Sequence, residues 1–172
     1  MGTGRIVAAL LASLVAGGTA AIAADGLNPF SSQLLAEQNA ERDRVGVPRL
    51  EWSAQLAQDA QAWADVLARE GDLRHAPVSV NPEEGENLLM AGKGYYGPQA
   101  MIDVFLDEKK VYRHGVFPEV SATGDWHDVG HYTQIVWRNT RQVGCAVARG
   151  DEMDFLVCRY LPAGNWRKQP VY

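Results

Sequence analysis

Val143-Gly144-Cys145-Ala146-Val147 and Phe155-Leu156-Val157-Cys158 are the two runs that decide the fold class. Both are short and apolar, and Gly150-Asp151-Glu152 between them supplies turn residues. Two such runs around a turn predict a hairpin, with Cys145 and Cys158 facing each other across the ladder. Upstream the period changes from strand-like to helical. Leu56, Ala60, Trp63, Ala64 and Leu67 form an apolar stripe behind Ser53, which reads as an N-cap, and Gly71 follows the end. An earlier helix starts near Asn28-Pro29, with Ser31 or Ser32 as its cap, and Gly46-Val47-Pro48 stops it. Its inward positions, Leu34, Leu35, Gln38, Asn39, Arg42 and Val45, are partly polar. Pro98 opens a third helix through about Tyr112. Helices first and strands last predict a layered α+β domain.

In that third helix Met101, Phe105, Glu108 and Tyr112 share a face, so Glu108 sits inside an apolar stripe. An unpaired carboxylate there is costly to bury, so it needs a partner. His131 to Trp137 (HYTQIVW) is too short to assign by periodicity. His75 to Glu84 and Gly115 to Gly130 read as loops, and the tail from Pro162 to Tyr172 as irregular.

The chain has 172 residues, 47% hydrophobic and 22% charged, with net charge −5. That suits one domain with a real core and excludes a disordered chain. The acidic balance excludes a nucleic-acid partner. Residues 1–23 read as a signal peptide: Arg5 in the n-region, the apolar run Ile6 to Val15, and Ala21-Ile22-Ala23 before a cut after Ala23 or Ala24. The apolar run is short for a membrane span. The expected product is secreted, extracellular or periplasmic, with no stable membrane insertion after cleavage. In an oxidising compartment Cys145 and Cys158 pair as a disulfide, which closes a short loop for roughly 3 kcal/mol. Two free thiols or an unusual metal site are the alternatives.

Several chemistries find little support. No G-x-S-x-G elbow is present, Ser53 is a cap and Ser79 a loop residue. His127 and His131 stand four apart, but a zincin needs Glu where this chain has Asp128, and Gly130 weakens the helix. Gly92-Lys93-Gly94-Tyr95-Tyr96-Gly97 imitates a phosphate loop without a βαβ unit around it. What remains is two imidazoles and two carboxylates, a sensible donor set for a divalent ion, although they are spread over more than fifty positions.

Gly130-His131-Tyr132-Thr133-Gln134-Ile135-Val136-Trp137-Arg138-Asn139-Thr140 resembles the first signature of the CAP superfamily. Phe155 to Trp166 (FLVCRYLPAGNW) resembles the second. The similarity runs from about Ser32 to Trp166, so residues 32–168 are expected to form one CAP (SCP) domain. Asn39, Arg42, Gly46-Val47-Pro48 and Leu50-Glu51-Trp52 fit the family's opening. The resemblance implies a three-layer α-β-α sandwich with a central antiparallel sheet. It also implies a cleft tetrad of His75, Glu86, Glu108 and His131, in which the two histidines hold zinc or another divalent metal and the two glutamates orient them. Cys145 and Cys158 match a pair bridged in plant-type members. Phe105 stands where many relatives have Trp, Gln38 where many have His, and the extra cysteines of the animal proteins are missing. The compact leader and minimal cysteine set suggest a bacterial member of the plant pathogenesis-related type.

Three functions compete for the tetrad: a structural hydrogen-bond network, a binding cleft, and a metal-dependent, protease-like extracellular hydrolase with Glu86 or Glu108 as base. The expectation adopted here is a non-enzymatic extracellular binding protein for a sterol, a fatty acid or another small apolar ligand. Tyr95, Tyr96 and Trp126 are the candidate exposed aromatics.

Overall fold

The computed structural model describes residues 27–77 and 83–172, so the leader lies outside the described residues. The order is α1 (Pro29–Val45), β1 (Glu51–Trp52), α2 (Ala54–Glu70), β2 (Gly85–Gly92), α3 (Pro98–Leu106), α4 (Gly130–Ile135), β3 (Gln142–Arg149) and β4 (Met153–Leu161). The strands run β1-β3-β4-β2 across one sheet. β3, β4 and β2 are antiparallel, and the two-residue β1 adds a parallel edge. Cys145 and Cys158 are register partners and form a disulfide.

Strand alternation splits the core in two. Ala60, Ala64 and Leu67 of α2 pack with Leu88, Ala146, Ala148, Phe155 and Val157 on one face. Leu34, Met101, Phe105, Tyr132 and Ile135 from α1, α3 and α4 pack with Val143, Cys145, Leu156, Cys158 and Tyr160 on the other. This is an α+β sandwich, as expected.

Three boundaries differ from the sequence reading. The cap of α1 is Asn28, whose Oδ1 accepts from Ser31 N at 3.0 Å; Pro29 occupies the first turn, and Ser31 is buried within the helix. The third helix leaves α geometry at Leu106 and tightens into a 3-10 turn over Asp107–Lys110. The unassigned HYTQIVW begins as α4, a helix of six residues.

The polar face of α1 is explained by its partners. Arg42 is fully buried and reaches four main-chain carbonyls: Pro48 (2.6 Å), Ile135 (2.7 Å), Trp137 (2.9 Å) and Thr140 (2.9 Å). Burial, with the positive charge of Arg141 and Arg138 nearby, pushes its pKa down to about 10. Gln38 accepts from Tyr160 Oη at 2.9 Å and lies beside Cys145 Sγ. Asn39 bridges both main-chain groups of Leu50. Glu41 accepts from Tyr132 Oη and Arg44 and pairs with Lys109, which joins α1 to α4 and the 3-10 turn. Burial works to raise its carboxyl, but the Arg44 and Tyr132 hydrogen bonds and the Arg44 and Lys109 charges bring it below the usual range.

At Gly144, β3 crosses the start of α2. A Cβ there would lie 2.2 Å from Ala57 N and 2.6 Å from both Leu56 C and Ser53 O, all main-chain atoms. Gly144→Ala is expected to cost about 2–3 kcal/mol in urea unfolding, because the helix backbone must move. Arg42→Met takes a donor from four carbonyls, of which Trp137 O keeps Thr140 N and Thr140 O keeps Arg141 Nη1, and is expected to cost about 3 kcal/mol or more by the same measurement; a loss under 1 kcal/mol would refute the bracing role.

Candidate functional site

Glu86 and Asn87 are consecutive in β2, the sheet edge, so their side chains leave opposite faces. Glu86 goes to the α2 side. His75 lies just past α2, and its Nδ1 meets Glu86 Oε1 at 2.6 Å; the same oxygen accepts from Ala76 N at 3.1 Å. The other oxygen of Glu86 lies 3.0 Å from Arg159 Nη2, its register partner on β4. Arg159 is also 3.6 Å from Glu84. Burial pushes the Glu84 carboxyl above the usual range, with Asp59 and Glu86 adding to the push and Arg159 opposing it.

The second pair forms on the other face. His131 Nδ1 meets Glu108 Oε1 at 2.6 Å, and Glu108 Oε2 accepts from the main-chain N–H of both His131 and Tyr132 at 3.0 Å. Those N–H groups belong to the first turn of α4, so one carboxylate caps the helix and holds its imidazole. This is the partner that Glu108 needed. Phe105, three residues earlier, stacks on the His131 ring at 4.7 Å with 22° between planes.

The sequence reading put all four side chains into one hollow. The structure joins them two by two, each histidine with its glutamate. The pairs are linked through the sheet edge: Asn87 Nδ2 donates to the His131 carbonyl at 3.1 Å. A cleft of about 350 Å³ is lined by His75, Glu86, Gln134, Arg159, Asn165 and Trp166, among others; His131 and Glu108 are not in its lining. Among the described residues no three His, Cys, Asp or Glu side chains come together as a ready-made metal set. Both imidazoles keep Nε2 unengaged by any described hydrogen-bond partner. The side chain of His75 is 67% exposed and that of His131 34%, so both are reachable by solute.

His127 binds Asp125 Oδ1 through Nδ1 and stacks on Trp126, away from either pair. Trp126 packs against Phe117, whereas Tyr95 is 76% exposed. Sequence reasoning missed Arg159, Glu84 and Gln134. Gln134 Oε1 accepts from Gly164 N at 2.8 Å and its Nε2 donates to Thr140 Oγ1 at 3.2 Å. Asn165 donates to the Gly130 carbonyl and accepts from Thr133 Oγ1. These bonds fasten the segment after β4 onto α4. A Cβ on Gly85 would sit 2.0 Å from Gln134 Oε1, so a larger residue there would have to displace the Gln134 amide.

A model of the Cysteine-rich secretory protein family, CAP, matches residues 35–160. Pathogenesis-related protein 1A of Nicotiana tabacum is 34% identical over 135 residues, covering 78% of this chain and 76% of its own. Golgi-associated plant pathogenesis-related protein 1 of Homo sapiens is 34% identical over 137 residues, with 79% and 84% covered. Among solved structures, that of NaASP2 with Zn2+ shares the fold at a TM-score of 0.68 and 20% identity, over 86% of this chain and 87% of that one. With the first signature stretch on α4 and the second on the inner strand β4 and the segment that follows it, and with the family model spanning most of the described residues, the chain belongs to the CAP, or cysteine-rich secretory protein, family and is of the pathogenesis-related type.

Proposed function

We propose that the protein is a secreted, non-enzymatic binding domain whose two histidines hold a divalent ion beside the cleft. The observation that carries this reading is the state of the two rings: each has Nδ1 taken by a carboxylate and Nε2 unengaged. A carboxylate on Nδ1 fixes the proton there and leaves Nε2 as the metal-facing donor. The donor set fits zinc or a similar ion. His75 and His131 would bind it, Glu86 and Glu108 would orient them, and water would complete the shell. The ion would supply a positive charge and exchangeable ligand positions at the cleft. Among the solved relatives, NaASP2 has a structure with Zn2+.

Binding is favoured over hydrolysis by how the carboxylates are used. Glu86 serves His75, Ala76 N and Arg159, and Glu108 serves His131 and two main-chain N–H groups. Neither is left as a free base for a water. The neighbouring hollow supports the reading that the ligand is an apolar one such as a sterol or fatty acid. A hollow of about 680 Å³ has an apolar wall of Leu161, Pro162, Ala163 and the half-exposed Trp166, faced by Glu83, Arg141 and Gln142, and it shares Ala163 and Trp166 with the cleft. The signal-peptide reading of residues 1–23 supports secretion, and no described helix is long and apolar enough to cross a membrane.

Calorimetric titration of the metal-free protein with zinc at neutral pH should show saturable binding that disappears in His75→Ala and in His131→Ala. Heat unchanged by either substitution would remove the proposed ligands. Glu108→Gln turns an amide donor toward either the His131 ring N–H or the α4 N–H groups. It should lower stability by roughly 1–3 kcal/mol and weaken zinc binding about 10–100-fold.

A further inference from the structure

Asp154 is a buried carboxylate that the His–Glu pairs do not use. It lies near the start of β4, about 16 Å along the strand from Arg159 at 3.3 Å per residue. Its side chain is 3% exposed. Oδ2 accepts from Gly94 N at 2.8 Å. Oδ1 is buried without a hydrogen-bond partner among the described residues, and the nearest cation, Arg149 Nε, stands 3.8 Å away, beyond hydrogen-bonding range. An unfilled acceptor at that depth is costly unless something donates to it.

Asp154 lines a groove of about 610 Å³ whose walls include Phe30 of α1, Gln58 and Gln61 of α2, Tyr96 before α3, and Arg149 of β3. The floor is the uncovered part of β3. β1 pairs only with Gln142 and Val143, so the strand beyond them has an open edge. Val143 O turns to that side, where it accepts from Ser53 N. By alternation the main-chain groups of Cys145 and Val147 turn the same way, and both residues line the groove.

The charges select the ligand. A cation on Asp154 Oδ1 would meet Arg149, and an anion on Arg149 would meet Asp154. A neutral ligand rich in donors and acceptors meets neither penalty. Asp154, Arg149 and the amides of Gln58 and Gln61 are planar groups suited to paired hydroxyls, and Phe30 and Tyr96 offer apolar ring surface to a sugar's C–H face. An extended peptide would need the whole edge, but Cys145 is only 4% exposed. We propose that this groove is a second binding site, for a neutral polyhydroxylated ligand one or two sugar rings in size, with Asp154 as its central acceptor. The site is separate from the metal reading and does not depend on it.

The test is amide-shift titration of the 15N-labelled protein with N,N′-diacetylchitobiose, cellobiose and maltose in turn, alongside an acetylated, amidated Val-Thr-Val-Thr peptide. At least one sugar should give saturable shifts centred on Gly94, Tyr96 and Val147. Asp154→Asn should weaken its binding roughly tenfold or more, the loss of a charge-assisted hydrogen bond. Because Asp154 also holds Gly94, Asp154→Asn can fail to fold; Gln58→Ala then decides, since Gln58 is exposed and its loss should weaken the sugar about threefold. No saturation with any of the three sugars, sugar affinity unchanged in both variants, or saturation with the peptide alone would each overturn the proposal.

Discussion

The buried guanidinium of Arg42 ties α1 to the connection between α4 and β3. Arg42 projects from the last turns of α1 and gathers the carbonyls of Pro48, Ile135, Trp137 and Thr140. Three of those carbonyls lie in the stretch that leaves α4 and enters β3, where no regular ladder satisfies them. A guanidinium has five donors in a rigid fork, so it can serve several divergent acceptors at once; a lysine cannot. With that stretch fixed, α4 is placed against the sheet, and with α4 come His131 and the N–H groups that Glu108 caps. The site is therefore built on a main-chain brace at the opposite end of the helix from its chemistry.

The layers were legible in the sequence because they obey simple periods. The α2 stripe, the Ser53 cap, the Gly46 and Gly71 stops and the final hairpin all came from spacing and capping chemistry. The α1 face resisted this reading because its inward residues are polar. Their partners are Leu50, just past the helix stop, and Tyr160 and the carbonyls beyond α4, which are distant in sequence; no periodicity encodes them. The same holds for HYTQIVW, whose first five residues belong to the six-residue α4, set by its Glu108 cap and the Arg42 brace more than by an apolar stripe.

Glu108 was the readable member of the site, because a carboxylate in an apolar stripe poses its own question. Its answer required knowing that the third helix tightens after Leu106, which swings Glu108 onto the start of α4. Arg159 and Gln134 gave no such signal. One sits in a strand that otherwise reads as ordinary core, the other in a stretch of unassigned structure, and each acquires a role only through a residue far along the chain. Polar pairs of this kind are visible in sequence only when burial makes one partner look misplaced.

The two imidazoles are held by different layers. His131 is gripped from the helical side, by Phe105 in α3 and Glu108 in the turn that follows, whereas His75 is gripped by Glu86 of the edge strand. Asn87, reaching from that strand to the His131 carbonyl, is the tether between them. The span from ring to ring is thus set by how the helical layer seats on the sheet edge, since no single element carries both rings; like the jaws of a caliper, they keep their gap only while that seat holds.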